Sequence, residues 1–238
     1  MQFEDFATLF TSTLEQSWAN EVYIITKKLG FDQTLYAVLR SKNDAHQTAF
    51  LKSNYNKSWR AQYEQNAYSY IDPVVSHCCN STTPIIWTPE LFTHPKELEL
   101  YEGCIAYGLR DGIAFPVHGA NNEVGIFTFV SEGLSRPKDR EELLRALPIL
   151  SILRDFVFET SLKFAGAHQE NLAIKLTPRE KEILEWTMAG KSMWEISKIL
   201  NCSESNVNFH ITNIRQKFGV ITKQQAVIKA IQLGILKL

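Results

Sequence analysis

Four helix starts follow one another in the C-terminal part of the chain, and this run constrains the fold more than any other feature. Each predicted helix is preceded by a Ser or Thr that can cap its N-terminus: Thr177, Ser192, Ser203 and Thr222. Pro178 stands at the first helical position, and Glu180 lies three residues after the first cap, the spacing of a capping box. The sequence therefore predicts a module of four short helices from Leu176 onward.

The third predicted helix has one apolar and one polar face. At about 100° per residue, its inward side chains step by three and four residues: Val207, Ile211, Ile214 and Phe218. The outward face carries hydrogen-bonding groups, one cation and a Phe that can meet a thymine methyl: Ser205, Asn208, Phe209, Thr212 and Arg215. Two helices joined by a tight turn, the second with such a face, are typical of a helix-turn-helix in the DNA major groove. The alternative interpretation is the solvated face of an ordinary helical subdomain.

The net charge of −1 averages two segments of opposite sign. Residues 1–171 hold 15 Lys and Arg against 21 Asp and Glu, whereas residues 172–238 hold 10 against 5. Such asymmetry favours a nucleic-acid partner for the basic segment. Cations of this segment are expected to contact phosphates, which position a protein without reading sequence: Arg179, Lys191, Arg215, Lys217 and Lys223.

The residues ahead of this module predict an α/β/α sandwich, a class in which helices cover both faces of a small antiparallel sheet. Helical periodicity is predicted over residues 1–30, 59–70, 98–107 and 140–164. Strands are predicted over residues 31–39, 49–53, 112–117 and 124–130. Asp72 is expected to cap a further helix that begins at Pro73. The whole chain is thus expected to be an α+β protein: a sandwich domain over residues 1–164, a linker over 165–175 and an all-α domain over 176–238.

Other classes of protein fit the sequence less well. No run of 18 apolar residues predicts a transmembrane helix, and the acidic N-terminus does not resemble a signal peptide. We therefore expect a cytoplasmic protein that does not bind membranes. The four Cys have neither C-x-x-C spacing nor the His spacing of a zinc site, so no metal and no cofactor are expected. His77, beside Cys78 and Cys79, has no acid nearby in sequence to orient it, and we expect packing there rather than catalysis.

The C-terminal module resembles the DNA-binding domain of LuxR-type transcription factors over the run LTPREKEILEWTMAGKSMWEISKILNCSESNVNFHITNIRQKFGV. The matching positions are Leu176, Thr177, Arg179, Glu180, Glu182, Gly190, Ile196, Val207, His210 and Lys217. This resemblance implies double-stranded DNA as a partner. It also implies that Glu180 ties helices together and that His210 is structural.

The N-terminal part resembles the autoinducer-binding domain of the acyl-homoserine-lactone receptors, with its nearest likeness in the LasR branch. The residues that carry the resemblance are Asn54, Tyr55, Trp59, Arg60, Tyr63, Tyr70, Ile71, Asp72, Pro73, Trp87 and Gly112. The ligand of that family is uncharged, with one amide N–H, carbonyl acceptors and an apolar tail. The resemblance implies that Asp72 accepts from the amide N–H and that Trp59 donates to the lactone carbonyl. It also implies that Tyr55 donates to the amide carbonyl, with the Thr128 hydroxyl in the same region.

The remaining binding residues are expected around the lactone ring and the acyl chain. The ring is expected against Trp87 and Phe92, and Arg60 is counted with the binding residues because it belongs to the motif. Weaker candidates for the acyl channel are Tyr36, Ala37, Val38, Ala49, Tyr63, Val74, Leu100, Leu109 and Ala114. Residues 74, 92 and 114 lack the hydroxyls of the LasR pattern, which predicts a less polar pocket. Without the resemblance, the favoured interpretation of Tyr55, Trp59 and Trp87 is core side chains whose polar tips are satisfied.

Together these features predict a quorum-sensing transcription factor with N-acyl-homoserine lactone as its ligand. It is expected to bind a pseudo-palindromic promoter site as a homodimer, with RNA polymerase as a further partner. One alternative keeps DNA binding but replaces the lactone by another small molecule, or by no ligand at all. Another alternative, from a different class, is an enzyme that processes acyl lactones.

Overall fold

The chain folds into two compact units that divide between Gln169 and Glu170. The computed structural model describes residues 6–131, 137–170 and 175–236. No helix within these ranges is long and apolar enough to cross a membrane.

The first unit contains six helices and five strands among its described residues. The helices are α1 (Ala7–Thr11), α2 (Glu15–Lys28), α3 (Lys57–Gln65), α4 (Pro73–Asn80), α5 (Pro95–Ala106) and α6 (Pro137–Glu170). The strands are β1 (Gln33–Leu39), β2 (Phe50–Ser53), β3 (Ile85–Ile86), β4 (Gly112–His118) and β5 (Val124–Val130). They form one antiparallel sheet in the order β2-β1-β5-β4-β3.

Each strand sends alternate side chains into two separate cores, because successive side chains of a strand point to opposite faces. On β1, Tyr36 and Val38 pack into a core with α1, α2 and α6, where Tyr36 OH lies 2.8 Å from the Ser161 hydroxyl. Leu35 and Ala37 pack into the second core, with α3, α4 and α5. Helices cover both faces of the sheet, so the predicted α+β architecture is confirmed.

Several predicted boundaries differ from the structure. In the described part of the helix predicted over residues 1–30 there are two helices, because the chain is extended at Ser12 and Leu14 before α2 begins. Residues 1–5 of that prediction lie outside the described ranges. The helix predicted over residues 59–70 ends at Gln65 and is followed by a 3-10 turn at Tyr68–Tyr70. The α6 helix continues through Glu170, so residues 165–170 of the predicted linker are helical. Residues 171–174 lie outside the described ranges, and β3 was not predicted.

The second unit contains the four predicted helices, α7 (Pro178–Met188), α8 (Met193–Ile199), α9 (Glu204–Phe218) and α10 (Lys223–Gln232). All four predicted cap residues accept a backbone N–H of the following helix through their side chains. The predicted inward face of α9 is buried at every position, which confirms the periodicity argument: Val207, Ile211, Ile214 and Phe218.

Candidate functional site

A cavity of about 290 Å³ lies on the second core face of the sheet, under α3 and α4. A few polar groups converge in its wall among mainly apolar side chains, the usual composition of a small-molecule site. The structure brings these predicted binding residues together in the cavity wall: Ala37, Tyr55, Trp59, Arg60, Tyr63, Asp72, Val74, Trp87, Leu109 and Thr128.

Four predicted binding residues do not line the cavity: Phe92, Leu100, Ala114 and Tyr36. Phe92 is buried and stacks on the Tyr101 ring with the centroids 4.7 Å apart. Leu100 is fully buried in the same core cluster. Among the weaker candidates, Ala114 is also in this cluster but not in the wall, and Tyr36 lies on the opposite face of the sheet.

Asp72 is held at the start of α4 with its carboxylate at the cavity. Pro73 occupies the first helical position, and Asp72 caps the helix by accepting from the Val74 N–H at 2.8 Å. The second carboxylate oxygen accepts from the Tyr63 hydroxyl at 2.8 Å. Burial raises the pKa of Asp72 above its usual value, and these hydrogen bonds only partly offset the shift. Both carboxylate oxygens are thus hydrogen-bonded, and they keep lone pairs that can accept another N–H.

Tyr55 and Thr128 form a fixed pair beside this carboxylate. Their hydroxyl oxygens are 2.6 Å apart, and Thr128 Oγ1 also accepts from the Leu35 N–H at 3.0 Å. The strand register explains this contact, because Leu35 on β1 is paired with Thr128 on β5. Burial raises the pKa of Tyr55, so its phenol stays protonated and keeps a hydrogen-bonding O–H.

Two indole rings in the wall lie directly against glycines. A Cβ on Gly103 of α5 would lie 2.5 Å from Cζ3 of Trp59, and a Cβ on Gly112 of β4 would lie 2.8 Å from Cε3 of Trp87. Each indole ring thus occupies the space that the Cβ of any other residue at the glycine position would fill. The Trp87 indole N–H is buried and has no acceptor among the described residues. A buried donor without a partner carries a free-energy cost that a ligand acceptor can remove.

The cavity wall also contains residues that the sequence prediction missed. Val124 and Ile126 lie on the same face of β5 as Thr128, because alternate residues of a strand share a face. Applying this alternation to Thr128 could have predicted both. Val75, Cys78 and Cys79 follow from helical spacing after Asp72 in the same way. His46, in the 3-10 turn before β2, carries no sequence signal of this kind.

The outward face of α9 is available to a partner, as predicted from its periodicity. Ser205, Asn208 and Phe209 are exposed, and Phe209 has 60% of its surface accessible. Thr212 and Arg215 continue the stripe and are half-buried, and the Arg215 Nε has no partner in the described part of the chain. An exposed Phe between hydrogen-bonding side chains is suited to base edges and thymine methyls.

Two of the cations predicted to contact phosphates have acceptors inside this unit. Arg179 bonds the Glu182 carboxylate at 2.9 Å and donates to the Leu200 carbonyl at 2.8 Å. Lys191 pairs with Glu195 at 3.3 Å, a partly exposed contact four residues along the chain. Arg179 thereby links α7 to the turn that precedes α9. A phosphate contact by either cation stays a prediction.

A third predicted cation, Lys217, is paired with a buried carboxylate. Its ammonium donates to Glu180 at 2.7 Å and to the Lys175 carbonyl at 3.0 Å. Burial alone raises the pKa of Glu180, but the bonds from Lys217 and from the Thr177 N–H outweigh it and lower this pKa below its usual value. Glu180 therefore joins the start of α7 to the end of α9. Lys223, at the start of α10, takes part in no ion pair among the described residues.

A ligand cavity in one unit and a helix-turn-helix in the other define a ligand-responsive transcriptional regulator. Comparison with known families gives the same division. Residues 15–161 match the family model of the autoinducer binding domain, and residues 174–230 match that of the bacterial regulatory proteins of the luxR family. The chain belongs to the LuxR family of autoinducer-binding, DNA-binding regulators, and it is not an enzyme.

Relatives extend this likeness over nearly the whole chain. The transcriptional activator protein AnoR of Acinetobacter nosocomialis is 30% identical over 238 residues, covering 98% of each chain. The transcriptional activator protein LuxR of Aliivibrio fischeri is 31% identical over 213 residues, covering 88% of this chain and 84% of its own. Among solved structures, Escherichia coli SdiA is 25% identical with a TM-score of 0.73, covering 97% of this chain and 96% of its own.

Proposed function

We propose that this protein binds an N-acyl-homoserine lactone in its N-terminal unit and, as a homodimer, binds a pseudo-palindromic promoter site. The observation that carries the proposal is a largely apolar cavity whose wall holds the desolvated Asp72 carboxylate and the indole N–H of Trp87, which has no acceptor among the described residues. Residues 1–164 hold the ligand and mediate dimerisation, and residues 176–238 bind DNA.

The chemistry of the cavity is complementary to that of an acyl-homoserine lactone. The ligand has one amide N–H, which suits a buried acceptor with lone pairs to spare, and the Asp72 carboxylate is such an acceptor. The carbonyls of the ligand need donors, and the same wall supplies N–H and O–H groups. These come from the indoles of Trp59 and Trp87 and from the Tyr55–Thr128 pair. The apolar tail then follows β5 from Thr128 towards Val124. This arrangement supports a neutral amphipathic ligand rather than a charged one.

The second unit supports recognition of DNA through α9. Ser205, Asn208, Phe209 and Thr212 face base edges, and Arg215 with the flanking cations meets the backbone. The relatives AnoR and LuxR are named transcriptional activators. We therefore assign activation to this protein, with RNA polymerase as a partner at the promoter and the cytoplasm as its location. The likeness to the LasR branch rests on the sequence motifs alone.

The proposal is tested with purified full-length protein and a panel of N-acyl-homoserine lactones of increasing chain length. Binding is measured by calorimetry, and DNA affinity by gel shift on palindromes whose half-sites lie one helical turn apart. We expect one or more lactones to bind and to raise the affinity for one palindrome, with a dimer in the shifted complex. Octanoylglycerol, which has an acyl tail but no amide N–H, serves as the control ligand. Tighter binding of octanoylglycerol than of every lactone would contradict the assignment of the ligand. A DNA affinity that is the same with and without every ligand would contradict control of DNA binding by the ligand.

A further inference from the structure

The floor of the cavity consists of side chains that β1 and β5 place on the second core face of the sheet. Because alternate residues of a strand share a face, the register of these two strands arranges the side chains in three rows. All six line the cavity, as the pairs Leu35 with Thr128, Ala37 with Ile126, and Leu39 with Val124. Neighbouring rows lie about 7 Å apart along the strands, so the first and third rows are about 14 Å apart.

Only the first of these three rows contains a polar side chain. The Thr128 hydroxyl lies 2.6 Å from the Tyr55 hydroxyl, whereas the other two rows consist of Ala, Ile, Leu and Val. The polar side chains of His46 and Gln47 also belong to the cavity wall, but they precede β2, which is an edge strand of the sheet. Beyond Thr128 the floor therefore offers apolar side chains to a ligand.

Helix α4 packs against β5 and adds further apolar side chains to the cavity wall. They follow Asp72 on the helix and are two Val and two Cys: Val74, Val75, Cys78 and Cys79. Burial raises the pKa of both thiols, so they are uncharged at neutral pH and behave as small apolar groups. The wall that follows Asp72 thus suits a hydrocarbon chain.

The middle row of the floor is incompletely covered by the protein itself. Ala37 lies on β1 between Leu51 of β2 and Ile126 of β5, and all three side chains are half-buried although β1 and β5 are inner strands of the sheet. The side chains of the first and third rows are buried. Since the three side chains of the middle row line the cavity, the small Ala37 leaves a groove there between two larger neighbours. Covering this groove with an apolar group removes apolar surface from water and therefore favours binding.

The length of the floor determines the length of chain that covers it. Under the proposed function, the amide carbonyl of the ligand is C1 of the acyl chain and lies at the Tyr55–Thr128 pair. An extended hydrocarbon chain, with bonds of about 1.52 Å at about 111°, advances about 1.25 Å per bond. The distance from the first row to the third therefore corresponds to about eleven bonds, the length of a dodecanoyl chain. A butanoyl chain ends about 4 Å from C1, before the middle row, and an octanoyl chain ends about 9 Å from C1, just past it.

We propose that the ligand of this protein is a long-chain N-acyl-homoserine lactone, with a decanoyl or dodecanoyl chain that crosses Ala37 and ends at the row of Leu39 and Val124. The inference rests on the proposed function, because the position of C1 comes from it. It makes Ala37 a specificity-determining residue, since its small side chain lets the chain pass the middle row. Longer chains gain nothing further, because β1 ends at Leu39 and β5 begins at Val124.

The test compares saturated N-acyl-homoserine lactones that carry butanoyl, hexanoyl, octanoyl, decanoyl, dodecanoyl and tetradecanoyl chains. Their affinities for the full-length protein are measured by calorimetry. We expect affinity to rise by up to about fourfold for each methylene that becomes buried. The rise should continue to the decanoyl or dodecanoyl form, and the tetradecanoyl form should bind no more tightly.

Variants then assign the chain-length preference to the groove at Ala37. Ala37→Leu fills the groove, so we expect the ratio of dodecanoyl to hexanoyl affinity to fall by at least about tenfold, because several methylenes are no longer buried. The favoured chain should shorten to about six carbons, the length that ends at the middle row. Ala37→Val, a smaller change suited to a strand, repeats the test if the Leu variant does not fold. Ala61→Leu makes the same change at an exposed position of α3 outside the cavity wall, and it should keep the wild-type ratio.

Two results would overturn the inference while leaving the proposed function intact. One is a wild-type affinity that peaks at the octanoyl form or a shorter one, or that still rises at the tetradecanoyl form. The other is a ratio of dodecanoyl to hexanoyl affinity that stays at the wild-type value in Ala37→Leu and Ala37→Val. If no lactone binds at all, the proposed function fails and this inference fails with it.

Discussion

The Asp72 carboxylate lies among aromatic rings and thiols, and it forms no ion pair with any cation of the described residues. Its folded-state pKa is raised, mainly by burial, so the ionised form is disfavoured by folding. The stability linked to this group is fully present below its unfolded pKa and is lost as the pH rises through the folded pKa. At neutral pH the unliganded protein therefore carries a cost at Asp72, and a ligand N–H that bonds to the carboxylate reduces it.

Replacing Asp72 by Asn separates this cost from ligand binding. An Asn oxygen still caps α4 through the Val74 N–H and its amide still pairs with the Tyr63 hydroxyl, so we expect the unliganded variant to be as stable as wild type at pH 7, or more stable. We expect lactone affinity to fall about tenfold, because a hydrogen bond to a charge is worth about 1–2 kcal/mol more than a neutral one. Thermal melts and calorimetry measure the two effects, with exposed Asp32→Asn as control. Loss of stability at unchanged affinity would show that Asp72 only caps the helix.

The contact between Gly103 and Trp59 leads to a second prediction at the residue scale. Gly103→Ala would place a Cβ 2.5 Å from the indole, so the ring must shift, and we expect a loss of about 1–3 kcal/mol of stability together with weaker lactone binding. Gly166 of α6 faces open space, with no atom within 4 Å of where a methyl group would lie, so Gly166→Ala is the matched control. Both changes raise helix propensity by about 1 kcal/mol, so the control should be as stable as wild type or more so. Equal behaviour of the two variants would contradict a positioning role for Gly103.

At the scale of the elements, α7 and α9 are joined by an ion pair between a buried carboxylate and an exposed ammonium, in addition to apolar contacts. Glu180 is 3% exposed and lies at the start of α7, whereas Lys217 lies in the last turn of α9. Lys229 of α10 donates in turn to the Phe218 carbonyl at the end of α9, at 2.8 Å. These contacts attach the C-terminal end of α9 to α7 and to α10. The outward face of α9 therefore has a defined orientation within the unit.

A pair of Lys variants distinguishes structural from DNA-binding cations. Lys217→Met leaves Glu180 buried without its cation, and we expect a loss of about 1–3 kcal/mol, below the value for a fully buried pair because Lys217 is partly exposed. The folded-state pKa of Glu180 is lowered, so its contribution is present above the unfolded pKa and is lost as the pH falls through the folded pKa. The loss in Lys217→Met should therefore shrink in acid.

Lys223→Met provides the complementary measurement. We expect its stability to be unchanged and the slope of log K for DNA against log salt to fall by about one, because one phosphate contact is lost. Lys217→Met should keep the wild-type slope. If the slope of log K against log salt changed only in Lys217→Met, Lys217 would be a phosphate contact and Lys223 would not.

The elements that the sequence predicted well are those decided by local chemistry. The caps at Thr177 and Ser192, like Asp72 before Pro73, need only a side-chain oxygen and a following helical segment. The features that it missed depend on distant partners. The β3 strand has two residues and forms because β4 lies beside it, and His46 enters the wall through a stack on Tyr70, 24 positions away. The family resemblance predicted Phe92 at the lactone ring, but Phe92 stacks on Tyr101 and does not line the cavity, and no single motif encodes this packing.

At the scale of the whole molecule, the sheet has one filled face and one face with a cavity. The face covered by α2 and α6 is closed by large side chains such as Trp18, whose indole N–H donates to Thr160 at 2.9 Å. The other face contains the cavity, and the polar groups in its wall have unsatisfied hydrogen-bonding capacity. A ligand there completes the second core, so ligand binding and folding of the first unit are linked. The acidic segment contains this cavity, and the basic segment contains the helix-turn-helix.

This linkage predicts that the ligand stabilises one unit and not the other. At a concentration 100 times its Kd, a ligand that binds only the folded state adds about 2.7 kcal/mol. For a unit of this size the expected rise in Tm is about 5–10 °C. Scanning calorimetry of the full-length protein should show two transitions. Lactone should raise the Tm of one of them, and Gly103→Ala should lower the Tm of that same transition. A DNA duplex containing the palindrome should raise the Tm of the other transition, which Lys217→Met should lower. Movement of the second transition by lactone in the absence of DNA would contradict a ligand site confined to the first unit.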